Sequence, residues 1–299
     1  MATELSKGTL FDTQLVKDLI DKVKGKSSLA VLSAQQPIPF NGIKQFTFTF
    51  DNEIDIVAEN GKKTHGGISI EPQTIIPIKF EYGARISDEF LYSSEEEQLD
   101  ILKSFNDGFA KKVAKGLDIA AFHGLNPRTG TASTVVGTNN FDSKVTQTVD
   151  YTDATPDANI EAAIALVEGS ENDVNGIVIN SEMRTDLAAM KNSANEKLYP
   201  EFAFGGKPTS LGSQRLDINN TVSFGTTTKD KGIVGDFENM FKWGYAKEIP
   251  LEIIKYGDPD NSGKDLRGYN QVYIRAEIYL GWGILDAKSF ARIVTPDAG

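Results

Sequence analysis

The chain has 299 residues, no cysteine and two histidines, and 31 basic against 42 acidic side chains leave a net charge of −11. The missing cysteines exclude disulfide scaffolds, thiolate zinc sites, iron–sulfur clusters and cysteine nucleophiles, and a pI near 4.8 argues against gripping nucleic acid by bulk charge. A hydrophobic content of 39% supports a sizeable core, no apolar run approaches a membrane span, and the N-terminus MATELSKGTL lacks an apolar signal segment, so a soluble, cytoplasmically made protein of about two domains' length is expected.

The first predicted element is a helix over Phe11–Lys24. Phe11, Leu15, Leu19 and Val23 recur every fourth residue, with Lys17, Asp18, Asp21 and Lys22 opposite. Gly25 can end it, and the Gly25–Ser28 exit makes the helix an arm. Next, Gln45–Asp51 alternates phenylalanine with polar residues, the period of a strand with one apolar face. The polar, Gly-rich stretch Glu59–Gly67 reads as a long hairpin tip, and Ile68–Phe80 as the return strand, with Pro72 and Pro77 confined to edges or breaks in pairing. A two-stranded ribbon this long is unstable alone in water. It must lie on its own domain or on a neighbouring subunit.

The clearest helix follows. Ser94 and Glu97 fit a capping box, and Leu99, Leu102, Phe105, Phe109, Val113, Leu117 and Ala120 form one stripe before Gly124 and Pro127 stop it. A helix over about 94–123 backing a sheet is expected. Residues 126–156, rich in Thr, Ser, Asn and Gly, read as a loop or short strands. From Asp157 the pattern is compact α/β: a helix over Ile160–Glu168, a buried strand over Gly176–Asn180, and a helix capped by Ser181. Later strands are expected at 232–235, 251–254, 272–280 and 291–294.

Motifs for chemistry are missing. The stretch Gly205–Thr209 fails as a phosphate loop because Pro208 follows the lysine. The stretch Asp258–Gly263 begins like a calcium loop, but Tyr269 stands where the bidentate Glu belongs, so a polar turn is expected. His65 and His123 have no recognisable catalytic or ligating partners in sequence, and no cofactor or metal is expected.

Several short stretches nevertheless stand in a telling order: Lys26–Ala30 at the arm's exit, Val57–Glu59 near the hairpin tip, Arg85–Glu89 ahead of the long helix, Ile179–Met183 followed by Leu187, then Gly206–Pro208, Val234–Phe237 and Ile284–Phe290. Together with the long hairpin and long helix, they resemble the major capsid proteins of tailed bacteriophages, whose Hong Kong 97 fold encapsulins share. The resemblance implies an α+β chain with an N-terminal arm over 1–28, the start of a peripheral domain over 29–45 and an extended-loop hairpin over 46–82. The peripheral domain continues over 83–156 with its spine helix, followed by an axial α/β domain over 157–270 and a C-terminal return over 271–299 to the peripheral and axial core.

The implied function is a shell subunit, not an enzyme. It would assemble into hexamers and pentamers of an icosahedral virion made in the bacterial host cytoplasm, containing double-stranded DNA without sequence-specific binding. The alternatives are an encapsulin-like compartment and, from another class, an α/β enzyme domain over 157–245. Implied inter-subunit contacts are Phe11, Leu15 and Leu19 of the arm, Phe46, Phe48, Phe50, Glu59, Lys62 and Lys63 of the hairpin, and Arg85. The arm-like helix starts near Met1, so a separate scaffolding protein, or assembly without one, is implied, with a portal as a further partner. Some members crosslink an extended-loop lysine to a neighbour's asparagine; Lys62 and Lys63 lie in that region, but no pair is matched and no crosslink is inferred.

Overall fold

A computed structural model describes residues 27–50, 52–225 and 230–296. The predicted arm helix, with Phe11, Leu15 and Leu19, lies outside the described residues.

The described chain opens with a short helix α1 (Ser28–Leu32), capped by the Ser27 side chain. Strands β1 (Ile43–Phe50) and β2 (Ile68–Ile75) then pair antiparallel as a separate two-stranded sheet. The expected hairpin over 46–82 is therefore corrected at both ends. It begins at Ile43, and residues 78–82 belong to β3 (Ile78–Ser87), which pairs in a different sheet. Pro77 stands at the break, where it has no N–H to give to a ladder. Pro72 is tolerated opposite Phe46 because both strands of a two-stranded ribbon are edges.

The long helix α2 (Glu95–His123) has the predicted ends. The Ser94 hydroxyl accepts from the Glu97 N–H at 3.3 Å, and Gly124 closes the helix in the left-handed region at φ 66°. At 1.5 Å per residue it is roughly 43 Å long. Leu102, Phe109, Val113, Leu117 and Ala120 of its stripe are buried and Phe105 partly so, whereas Leu99 and Ile101 are exposed near its start.

Beneath α2 lies a three-stranded antiparallel sheet in the order β3, β10 (Gln271–Ile284), β9 (Phe241–Ile254). The sequence reading placed 241–254 in the axial domain with a strand only at 251–254. The structure shows a strand of fourteen residues that runs along β10 with two register shifts. Gly244 interrupts the apolar pattern, and the reason for that glycine is spatial: a Cβ there would meet the Gln36 carbonyl oxygen at 1.7 Å. A bridge between Gln35 and Trp243 carries the chain after α1 along the sheet's edge.

Residues 126–156, expected as a loop or short strands, hold α3 (Phe141–Lys144) and the short strand β4 (Thr148–Asp150). After it come α4 (Pro156–Glu168), β5 (Gly176–Ile179) and α5 (Ser181–Ala189), whose cap is the Asn180 side chain rather than Ser181. Strands β6 (Ser210–Leu211), β7 (Gln214–Ile218), β8 (Asp230–Gly235) and β11 (Phe290–Val294) complete a six-stranded sheet ordered β4-β11-β8-β5-β7-β6. Both its faces are covered. Ile177, Ile179, Val234 and Ile293 join the core under α4 and α5, while Val178, Ile233 and Phe290 join the core of α2 and the three-stranded sheet. Burial on both sides explains why β5 reads as an unbroken apolar run.

Candidate assembly surfaces

The cross-strand register of the hairpin decides which residues share a face. Phe46, Phe48 and Phe50 stand opposite Pro72, Ile70 and Ile68, and the alternate pairs are Gln45 with Gln73 and Thr47 with Glu71. The polar face is the one that meets the protein's own body. Gln45 Nε2 donates to Gln36 Oε1 at 3.2 Å, Thr47 Oγ1 to the Leu285 carbonyl at 3.4 Å, and Lys144 Nζ to Gln73 Oε1 at 3.0 Å. At the root, Ile75 is buried on β10, where a Cβ at Gly283 would come within 2.8 Å of it.

The apolar face points away. Phe46, Phe48 and Phe50 are 58%, 66% and 76% exposed, and Ile68 and Ile70 beside them are also more than half exposed. This inverts the usual arrangement, in which a half-buried ribbon turns its apolar side to its own core. A contiguous apolar face left open on one chain marks a surface made for a partner.

Beyond Phe50 the chain has no regular secondary structure until Ile68, among the described residues. Its tip turns at Asn60, which has φ 66°, and the Gly61 N–H donates to the Ala58 carbonyl at 2.8 Å. Glu59, Lys62 and Lys63 are exposed there, and Ile54 and Ile56 are almost fully exposed.

Arg85, one of the expected inter-subunit contacts, also makes contacts within its own chain. On β3, its guanidinium donates to Asp258 (2.6 Å) and Asp260 (2.8 Å from Nε), to Gln271 Oε1 (3.2 Å) and to the Lys264 carbonyl (2.9 Å). Its donors are thus engaged within its own chain, holding the loop after β9. The Arg85 hydrogen bond keeps the Asp260 carboxyl well below the usual carboxylate range. The same geometry answers the calcium-like spelling of that loop. Asp258 also accepts from the Ser262 and Gly263 N–H groups, at 3.0 and 2.7 Å, and a guanidinium stands where a cation would bind.

Where the described chain begins, a buried carboxylate holds it. Asp118, on α2, accepts from the Ser27 hydroxyl, from the Ser28 and Leu29 N–H groups (3.0 and 3.3 Å), from Thr221 Oγ1 (2.9 Å) and from Asn219 Nδ2 (3.3 Å). It therefore satisfies the first N–H groups of α1 from another helix. Burial pushes the Asp118 carboxyl up to about 6, against the pull of those donors. Nothing in the sequence pattern marks this residue, because its partners lie about 90 and 100 positions away.

His123, which had no recognisable partner in sequence, ends α2 inside the protein. Its Nδ1 lies 3.0 Å from Asp142 and its Nε2 2.9 Å from the Thr221 carbonyl. Arg292 contacts Asp142 and Asp230 there, each at 2.9 Å.

The fold carries an apolar ribbon that its own body leaves uncovered. The chain belongs to the phage capsid family: residues 7–295 match the family's model. A solved structure from Mycobacterium phage Ogopogo is 32% identical over 91% of this chain and 92% of that one, with a TM-score of 0.77. One from Gordonia phage Cozz is 25% identical over 91% and 87%, with a TM-score of 0.76. A subunit described as the capsid of an empty GTA particle is 16% identical over 90% and 96%, with a TM-score of 0.64, a likeness of fold. A comparison with curated protein sequences gives no match. The fold is of the Hong Kong 97 type, and the protein is a major capsid shell protein of the virion, structural and not enzymatic. No helix among the described residues is long and apolar enough to cross a membrane.

Proposed function

We propose that the chain closes into rings, the hexamers and pentamers of an icosahedral shell, through its hairpin. The apolar face of Phe46, Phe48 and Phe50 lies across an adjacent copy, and the exposed tip with Glu59, Lys62 and Lys63 reaches beyond it. One observation carries this reading: the ribbon is fastened to its own body by polar groups and leaves its apolar side open. Head-to-tail contacts of this kind close into rings when the rotation permits. The arm, with Phe11, Leu15 and Leu19, adds a second exchanged contact, and each interface buries on the order of 1,000 Å² or more.

DNA is contained rather than gripped, which a net charge of −11 suits. A portal completes the assembly, which takes place in the host cytoplasm with a separate scaffolding protein or without one. Arg85 serves this function from within its own chain, by fixing the loop after β9. Negative-stain microscopy of the purified protein tests the reading. Wild type should give closed shells, whereas a variant lacking Glu59–Gly67 should give soluble, folded subunits without shells. Intact shells from that deletion would overturn it.

A further inference from the structure

Where α2 ends, four ionisable side chains from four elements meet, His123 and Asp230 fully buried, Arg292 nearly so and Asp142 partly exposed. His123 closes α2, Asp142 lies on α3, Asp230 opens β8 and Arg292 is central in β11. The Asp230 carboxylate accepts from Arg292 Nε at 3.1 and 3.2 Å, and Arg292 Nη2 stands 2.9 Å from Asp142 Oδ1. Arg292 Nη1 also donates to the carbonyls of Asp142 and Val145. The neighbouring Lys231 turns the other way, to Glu182.

Hydrogen counting constrains the group. His123 Nε2 faces only the Thr221 carbonyl, so it carries a hydrogen. His123 Nδ1 lies 3.0 Å from an Asp142 oxygen and 4.0 Å from an Asp230 oxygen. With both aspartates ionised and the imidazole neutral, Nδ1 would set a lone pair against a carboxylate. The group would also carry two negative charges against one guanidinium. One further proton, shared between Nδ1 and that Asp142 oxygen, removes the clash and brings the group's charge to zero.

We propose that His123, Asp142, Asp230 and Arg292 form a one-proton lock that fastens the end of the long helix to the six-stranded sheet, and that losing this proton loosens the junction. A ligating atom from each of His123, Asp142 and Asp230 falls within 4.8 Å of the others, as a metal site would require. The guanidinium against both carboxylates already supplies the cation, so the group needs a proton instead.

The electrostatics agree in direction. Burial first, then the hydrogen bond and charge of Asp142, push the Asp230 carboxyl up to about 7 against the pull of Arg292. Burial acts on Asp142 too, but the hydrogen bonds from His123 and Asp230 and the charge of Arg292 hold it below its usual range. A carboxyl raised in the fold above its unfolded value of about 3.9 stabilises the fold fully below that value. The contribution is lost as pH rises through about 7. Between the two, one extra bound proton makes opening about tenfold more favourable per pH unit.

Hydrogen exchange of the full chain at about pH 6 and about pH 8.5, with labelling times corrected for intrinsic exchange, tests this. Peptides covering the end of α2, α3, β8 and β11 should lose protection at the higher pH, by tenfold or more relative to peptides of α4 and α5. Asp230→Asn keeps an acceptor for Arg292 and an N–H for Asp142 without the charge, so its protection should not change with pH. Equal wild-type protection at both pH values would overturn the proposal, whether or not the variant folds. So would an unaltered pH response in Asp230→Asn, or abolition of the wild-type response by EDTA, which would mark a metal in place of the proton.

Discussion

Replacing Phe48 by Asp separates folding from assembly. In the single chain Phe48 is 66% exposed and stands on the ribbon's open face, opposite Ile70. A phenylalanine can bury roughly 200 Å², so about 130 Å² of Phe48 is left to be covered by a partner. At about 25 cal/mol/Å² that is worth about 3 kcal/mol per contact, or roughly a hundredfold in affinity. A carboxylate taken into the same interface adds a desolvation penalty of several kcal/mol. The variant should therefore stay folded, with the circular-dichroism spectrum and melting temperature of the unassembled wild-type subunit. It should sediment as free subunits or small rings and show no shells by negative stain. Shells at wild-type yield would refute the argument that this face is an assembly surface. A variant that fails to fold would refute it differently, by showing that Phe48 belongs to the chain's own core.

Three further substitutions probe the body. Phe141→Ala removes a fully buried ring packed against Phe122, Phe241 and Phe290 and should cost about 3–5 kcal/mol in urea unfolding of the subunit. Asp118→Ala strips the acceptor from the start of α1 and should cost about 3 kcal/mol or more, with faster hydrogen exchange at Ser28 and Leu29 as the local readout. Gly124→Ala forces a side chain into the left-handed region, with its Cβ 2.5 Å from Asn140 Nδ2. It should cost about 1–2 kcal/mol and loosen the cap of α3 as well.

Local elements were legible because their signals are local. The capping residues and 3.5-residue stripe of α2 lie within thirty positions of one another, and the alternation of Phe46, Phe48 and Phe50 announces a strand with one apolar face. Less is legible where the deciding partner is remote. Residues 126–156 look like loop or short strands by composition, and they do hold β4, yet Phe141 within them is a centre of the aromatic core. The strand over 241–254 looked short and axial, because its pattern reflects β10, about thirty residues further on, and the chain around Gln36. For Arg85 the sequence carries no sign of Asp258 and Asp260, some 175 positions away, to which its guanidinium donates.

By itself, then, the sequence determined a cysteine-free, acidic α+β chain with one long capped helix and one amphipathic ribbon, since helix and strand periods are set by neighbours three or two residues apart. It also determined the poverty of chemical motifs. Tertiary structure alone decided which side of the ribbon meets the body, because a period of two names two faces without saying which is inward. It also turned a histidine without apparent partners into the centre of a buried ionic group. Ionisable groups from four elements come within about 3–4 Å of one another only through the fold.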